Sequence, residues 1–281
     1  MATLWSVRSS EFLLRGALLA LCCFAGSMAY AEQAAVEVEA AATTDDASTA
    51  VAAKQAARTL IAGALDLTRG RTSVAEFTMT IKRPDWQRSS SLKAWTRGRE
   101  DALIRFTAPA KDAGNATLKQ GEKMWTYTPR VNRTIRLPQS LMSQSWAGSD
   151  FSYNDLSRSD KLLRYYELLL VNRETQGERI IYTIDAVPAD DAPVVWGKEQ
   201  LVLRDDYVLL SQTFFDQALE PVKRMETLLV GELGGRTFGT HMRMINLEEP
   251  DTYTELIYNS AEFDLDLEDR LFTQFSLKSN R

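Results

Sequence analysis

The amino-acid sequence predicts a mainly β protein, with about eleven antiparallel strands and a helical and loop lid over an apolar cavity. Short segments that alternate apolar and polar residues recur at hairpin intervals from Ser73 onward, which is typical of an antiparallel sheet. Strands and helices do not alternate as they would in a parallel sheet. An apolar, serine-dotted stretch from Leu137 to Ala147 interrupts the strands, and we interpret it as the lid.

Residues 1–31 are predicted to be a secretory signal peptide that is cleaved near Ala31. Two arginines precede an apolar run from Ala17 to Ala25, and Ala29, Tyr30 and Ala31 then give a small-x-small cleavage pattern. A membrane anchor is the alternative, but a spanning helix needs about 20 apolar residues. We therefore expect an exported protein whose processed chain begins near Glu32.

Both cysteines of the chain, Cys22 and Cys23, lie inside this leader. The processed chain would then contain no disulfide, no reactive thiol and no cysteine metal site. The whole chain has 33 basic and 38 acidic residues and a formal net charge of −5. Long-range attraction to nucleic acid or to an anionic membrane surface is not expected at this charge.

Residues 32–50 contain mostly Ala, Glu, Thr and Asp, and we predict a flexible tether because such a segment buries too little apolar surface to order itself. Residues 51–281 are predicted to form one domain. An amphipathic helix should cover Ala52 to Leu67, where apolar residues recur at helical spacing, and should end near Gly70.

The strands follow. They are predicted at residues 73–82, 90–96, 102–107, 124–127, 134–137, 179–186, 198–204, 207–216, 221–230, 236–246 and 252–262. A second helix is predicted from Tyr153 to Val171, and Ser152 with Asp155 has the spacing of a capping box at its start. Gly234 and Gly235 predict a hairpin turn, and residues 269–272 a last turn against the sheet.

Large, soft side chains share the strand faces, and further apolar residues lie in the lid. Each of them could be an ordinary core residue, but methionine and aromatic linings also adapt to flexible apolar ligands. The predicted cavity and lid residues are Phe77, Met79, Ile104, Phe106, Trp125, Tyr127, Leu141, Met142, Trp146, Phe151, Phe238, Met242 and Met244.

Three motifs occur in order along the chain. Gly121 to Pro129 contains Trp125 and Tyr127 and precedes a basic strand; Gly148 to Leu156 contains Ser149, Asp150 and Phe151; and Leu271, Phe272 and Thr273 lie near the C-terminus. Together they resemble the LolA-like family of periplasmic lipoprotein carriers and its outer-membrane lipoprotein-sorting branch.

The resemblance implies an incomplete, unclosed β-barrel with an apolar concave side. Such a protein carries acyl chains through the periplasm, needs no cofactor and breaks no bond. The resemblance also implies a lipid or acylated lipoprotein as ligand, and an inner-membrane lipid exporter or an outer-membrane receiver as partner of a monomer. Carriers of this family latch the lid with an arginine, and Arg97 and Arg99 are the candidates here. A regulatory or sensor module on the same fold, bound to a membrane or signalling partner, is the alternative function.

Enzymatic chemistry is not indicated by the residues. His241 is the only histidine. Side chains alternate between the two faces of a strand, so His241 lies on the face opposite to Met242 and Met244, and we expect it on the solvent side or at the rim. A zinc site is not expected, because one imidazole and no cysteine in the processed chain leave only carboxylates as further ligands, and no Gly-x-Ser-x-Gly motif is present. The Gly148 to Asp150 motif is interpreted as a tight turn.

Overall fold

The computed structural model describes residues 49–157 and 161–278. The predicted signal peptide and all of the predicted tether except residues 49 and 50 lie outside the described residues. From Ala53 onward, the described residues form one compact unit. None of the helices among the described residues is long and apolar enough to cross a lipid bilayer.

A long helix, α1 (residues 49–69), precedes the sheet. Its buried residues Ala57, Leu60 and Ile61 fall on one stripe, as an amphipathic helix requires. The helix ends at Gly70, which has a φ of +60° and whose amide donates to the carbonyl of Asp66 at 2.8 Å. A left-handed glycine is a common helix stop, and the predicted helix is confirmed.

Thirteen strands form a single antiparallel sheet. They are β1 (Thr72–Lys82), β2 (Gln87–Arg97), β3 (Asp101–Ala108), β4 (Ala116–Gln120), β5 (Lys123–Thr128), β6 (Arg133–Arg136), β7 (Tyr166–Gln176), β8 (Arg179–Pro188), β9 (Lys198–Arg204), β10 (Leu209–Phe215), β11 (Pro221–Leu233), β12 (Arg236–Asn246) and β13 (Tyr253–Phe263). Their order is β6-β5-β4-β3-β2-β1-β13-β12-β11-β10-β9-β8-β7. The edge strands β6 and β7 are not paired with each other among the described residues, so the sheet is not closed into a barrel. The predicted fold class is confirmed.

The predicted helix from Tyr153 to Val171 is wrong over its C-terminal part, from Tyr166 onward. The structure has two short helices, α2 (Tyr153–Leu156) and α3 (Lys161–Tyr165), and the chain then becomes β7. Tyr166 and Leu168 are buried while Glu167 between them is exposed, which is a strand pattern. The leucine-rich run fits the periodicity of a helix as well as that of a strand. Its pairing with β8 makes it a strand. With β4, which was not predicted, β7 raises the strand count from eleven to thirteen.

The register defines two faces of the sheet. Ala75, Ala94, Ile104 and Thr117 are cross-strand neighbours on one face, which we call the cavity face. On this face α1 and α3 pack against β7, β8 and β9.

The opposite, outer face carries another cross-strand row, formed by Trp95, Leu103, Leu118 and Trp125. Leu277, in the C-terminal helix α4 (Gln274–Lys278), packs against this row. The short turn predicted over residues 269–272 is present as a 3-10 helix.

Candidate functional site

A cavity of about 330 Å³ lies between α1 and the cavity face of the sheet. This volume falls within the range of about 300–1,000 Å³ that is usual for small-molecule sites. Side chains of α1, of the central strands and of the segment around α2 line it. They include Ile61, Ala64, Leu65, Leu67, Ala75, Phe77, Ala94, Phe151, Leu156, Leu201, Leu209, Phe214, Met225, Phe238, Met242, Met244 and Tyr258.

Aromatic rings form one wall of the cavity. The ring of Tyr258 lies 5.8 Å from that of Phe77 and 5.3 Å from that of Phe238, the second pair being edge to face. Desolvation raises the pKa of Tyr258 above its usual value, because ionising the phenol there would place a charge among apolar groups. The rings make this wall apolar, and the nearby charge of Arg69 acts on the pKa of Tyr258 in the opposite direction.

Polar side chains also line the cavity: Thr68, Arg69, Ser73, Thr96, Asp155, Gln212 and Thr227. Asp155 and Gln212 are both engaged by other side chains. Lys223 donates to Asp155 at 2.6 Å, and Gln212 donates to the fully buried Glu199 at 2.8 Å. Tyr166 donates to the other oxygen of Glu199 at 2.7 Å. Buried charges are tolerated when they are paired and hydrogen-bonded in this way, so these contacts hold the elements around the cavity together.

Arginines anchor the C-terminal end of α1 over the cavity. Arg99 forms a two-pronged ion pair with Asp66, at 2.7 and 3.0 Å. Arg69 donates to the carbonyls of Gly98 and Asp101, and Arg236 donates to those of Asp66 and Leu67. Cations near a helix C-terminus are favourable because they meet its free carbonyls.

The two latch candidates have different partners. Arg99 binds α1, whereas Arg97 binds Asp101 and Asp269 and lies over the ring of Phe272. Arg97 therefore attaches the C-terminal segment to the sheet. Arg99 binds Asp66 and the carbonyl of Ala62, so the element that it holds against the sheet is α1.

The predicted lid segment is fixed to the sheet, and none of its residues from Leu137 to Ala147 lines the cavity, whereas Phe151, which follows the segment, does. The indole nitrogen of Trp146 donates to Thr117 at 3.1 Å, and its ring packs on Phe106 at 5.6 Å. Arg83 binds both oxygens of Asp150 at 3.1 Å. Met142 is buried away from the cavity, beside a smaller pocket that Tyr165 also lines, and Leu141 is half-buried.

The structure brings together five of the thirteen predicted site residues as cavity lining: Phe77, Phe151, Phe238, Met242 and Met244. Met79, Ile104, Phe106 and Trp146 belong to the core cluster next to it. Trp125 and Tyr127 do not line the cavity, because the register turns them to the outer face under Leu277. Alternation shows which residues of a strand lie on the same face, but it does not show whether that face points to the cavity.

The contribution of α1 to the cavity lining was not predicted from the sequence. Ile61, Ala64, Leu65 and Leu67 line the cavity, although the helix itself was predicted. The apolar stripe of α1 could have predicted this contribution, because such a stripe must be covered by another element or by a ligand.

His241 lies on the outer face, as predicted. Its Nε2 atom is 3.4 Å from an oxygen of Glu255, and Arg243 binds the same carboxylate at 2.6 Å. Within the described residues, no group of three or more His, Cys, Asp or Glu side chains is placed to hold a metal ion. The Gly148 to Asp150 motif is a turn, in which Ser149 Oγ donates to the carbonyl of Trp146 at 2.7 Å.

Comparison with known proteins places the chain in a family. A family model described as "Uncharacterized protein" matches residues 98–279, which is more than half of the sequence. The chain belongs to this family. A search of curated proteins found no significant match.

The fold is that of the LolA-like proteins. A DUF1329 family protein from Desulfovibrio piger superposes with a TM-score of 0.71 at 22% identity, covering 80% of this chain and 99% of the other. A putative outer membrane lipoprotein-sorting protein domain from Vibrio parahaemolyticus gives 0.69 at 21% identity, covering 80% and 100%. A LolA superfamily protein from Nitrosomonas europaea gives 0.66 at 19% identity, covering 78% and 98%. The resemblance inferred from the motifs is confirmed at the level of the fold.

Proposed function

We propose that this protein is a carrier that takes up an acyl chain of a lipid or lipoprotein in the cavity under α1. The single observation that supports this proposal most strongly is the apolar cavity itself, which the sheet and helix leave unfilled. Helices and sheets otherwise pack together as densely as organic crystals, so an apolar space of this size between α1 and the sheet needs a reason. The likeness to a lipoprotein-sorting domain supports the same function.

Binding would be driven by the hydrophobic effect. Each methylene group that leaves water contributes about 0.8 kcal/mol, and methionine side chains can adjust to a flexible chain. Met225, Met242 and Met244 supply that adaptability here. No bond is made or broken in such a transfer, and the cavity side chains serve as solvent for the ligand.

The proposal includes a periplasmic location and a monomer that exchanges its cargo with an inner-membrane lipid exporter or an outer-membrane receiver. Enclosing the chain under α1 would keep it from water between the two membranes. Release would require α1 to move, which makes the Arg99–Asp66 pair the contact that a receiver must weaken.

Two measurements on protein purified without detergent test the proposal. Organic extraction and mass spectrometry should find a bound acyl lipid, and a fluorescent fatty acid should bind and be displaced by unlabelled lipid. Absence of both signals would overturn the carrier function, and capture of a signalling protein in its place would favour the sensor module.

A cavity-filling variant sharpens the test. Ala64→Phe places a ring in the cavity, whereas Ala56→Phe makes the same change on the exposed side of α1. We expect Ala64→Phe to weaken binding of the fluorescent fatty acid at least about tenfold, because the ring occupies the space of the chain. Ala56→Phe should bind like the wild type. Equal affinity of the two variants would show that the ligand binds elsewhere.

A further inference from the structure

We propose that the β5–β6 hairpin docks the protein on an anionic lipid bilayer. The hairpin consists of β5, the turn from Pro129 to Asn132, and β6 at the edge of the sheet. It carries exposed cations and exposed apolar side chains together. The cavity lies apart from it, so this inference does not depend on what the cavity binds.

Positive charge is concentrated in this part of a chain that is acidic overall. From Lys123 to Ser149 the sequence contains Lys123, Arg130, Arg133 and Arg136 and no aspartate or glutamate. All four side chains are exposed, and none of them has an ion-pair partner among the described residues. The nearest acid in sequence, Glu122, is bound by Arg164 at 2.9 Å and by Tyr165 at 2.8 Å.

The net charge of −5 does not prevent local attraction of an anionic surface. At 0.1 M salt, exposed charges more than about 10 Å apart are largely screened from one another. A membrane that meets the hairpin therefore responds to its four cations, and the acidic residues elsewhere contribute little. Arginine also binds phosphate groups through two parallel hydrogen bonds.

Apolar side chains at the same place favour a bilayer over an acidic protein. Val131 at the tip is 65% exposed and Ile135 on the edge strand is 41% exposed. Cations flanking exposed apolar groups are typical of surfaces that insert at the boundary between headgroups and acyl chains. The aliphatic stems of the arginines can lie along that boundary while their charged ends reach the phosphates.

The turn is held in one conformation before it meets a membrane. Asn132 adopts a φ of +45°, its amide donates to the carbonyl of Pro129 at 3.0 Å, and its side chain accepts a hydrogen bond from Tyr127 at 3.2 Å. A preorganised turn loses little conformational freedom on binding. Val131 is thus presented at the tip without a folding cost.

Vesicle binding tests the proposal. The purified protein should sediment with vesicles of equimolar phosphatidylglycerol and phosphatidylcholine at about 0.1 M salt, and far less with phosphatidylcholine alone or at about 1 M salt. Each basic residue near an anionic surface contributes about 1 kcal/mol, or about fivefold in binding. Replacing Arg130, Arg133 and Arg136 by Gln should therefore weaken binding by about a hundredfold.

The opposite edge of the sheet supplies matched controls. In β7, Val171 is 52% exposed and Arg173 is exposed. Arg133→Gln and Val131→Asp should reduce vesicle binding, whereas Arg173→Gln and Val171→Asp should not. Binding of the fluorescent fatty acid should be the same in all four variants, which separates this surface from the cavity.

Three results would overturn the proposal. The first is no sedimentation with anionic vesicles at about 0.1 M salt. The second is equal sedimentation with phosphatidylcholine alone, and the third is an equal loss of binding in the variants of the two sheet edges. Capture of an acidic polypeptide such as polyglutamate by a protein that ignores vesicles would identify a protein-docking surface in its place.

Discussion

Gly63 in α1 lies so close to Tyr207 that a Cβ atom at residue 63 would be 2.4 Å from Cδ1 of the tyrosine ring. Tyr207 lines the cavity and has a φ of +68° in the turn before β10. The absence of a side chain at Gly63 lets the ring pack directly against the helix backbone. This contact positions α1 over the cavity together with the Arg99–Asp66 pair.

Gly63→Ala should destabilise the protein, although the same change in an ordinary helix interior stabilises it by about 0.5–1 kcal/mol. The methyl group would overlap the Tyr207 ring, and overpacking costs about 1–3 kcal/mol. Urea unfolding of the single variant measures the net loss. In a Tyr207→Ala background the overlap is gone, so Gly63→Ala should then raise the free energy of unfolding. The same sign in both backgrounds would contradict the contact.

Several local features of this fold were predictable because short sequence motifs determine them. The predicted capping box is present: the Ser152 amide donates to the Asp155 side chain at 2.7 Å, and the Asp155 amide donates to Ser152 Oγ at 3.2 Å. Gly234 and Gly235 form the predicted turn, with φ values of +58° and +74°. Most strand positions followed from alternation in the same way.

Features that depend on distant contacts were not predictable. In β4, four consecutive residues from Ala116 to Lys119 are buried, so the strand shows no alternation. Lys119 is tolerated there because its ammonium group donates to the carbonyls of Arg99 and Glu100. The sequence likewise grouped Trp125 with Tyr127, but only the packing of α4 shows that their face points away from the cavity.

Lys223→Met should destabilise the protein by about 3–5 kcal/mol, the usual cost of removing one partner of a buried ion pair. The Lys223 and Asp155 side chains are only 12% and 5% exposed, and the ammonium group also lies 4.9 Å from the centre of the Trp196 ring. Chemical denaturation measures the loss. Adding Asp155→Asn should cost less in the Lys223→Met background than in the wild type, because the two residues interact. Additive losses would show that the pair is not coupled.

Alkaline pH should destabilise the protein through Tyr258. Burial raises the pKa of its phenol, so the folded protein holds the proton at pH values where the unfolded chain releases it. The stabilising contribution is complete below the unfolded pKa of about 10 and is lost as the pH rises through the folded value. Unfolding midpoints of the wild type should therefore fall more steeply above about pH 10 than those of Tyr258→Phe. Parallel pH profiles of the two proteins would argue against this role.

Acid should loosen the C-terminal end of α1 through Asp264. The Arg71 amide donates to one carboxylate oxygen at 2.9 Å and Arg236 donates to the other at 2.6 Å, and both lower the pKa of Asp264. A lowered pKa gives a contribution that is complete above the unfolded value of about 3.9 and is lost as the pH falls through the folded value.

Arg236 also donates to the carbonyls of Asp66 and Leu67 in α1, so protonating Asp264 should release the anchor of the helix. Hydrogen exchange of the α1 amides, corrected for intrinsic rates, should speed up on acidification in the wild type. Asp264→Asn should show fast exchange already at neutral pH, since asparagine tolerates the φ of +58° but carries no charge for Arg236. Glu248→Gln in an exposed loop serves as the control and should exchange like the wild type. Slow α1 exchange in Asp264→Asn would mean that Arg236 holds the helix without help from this carboxylate.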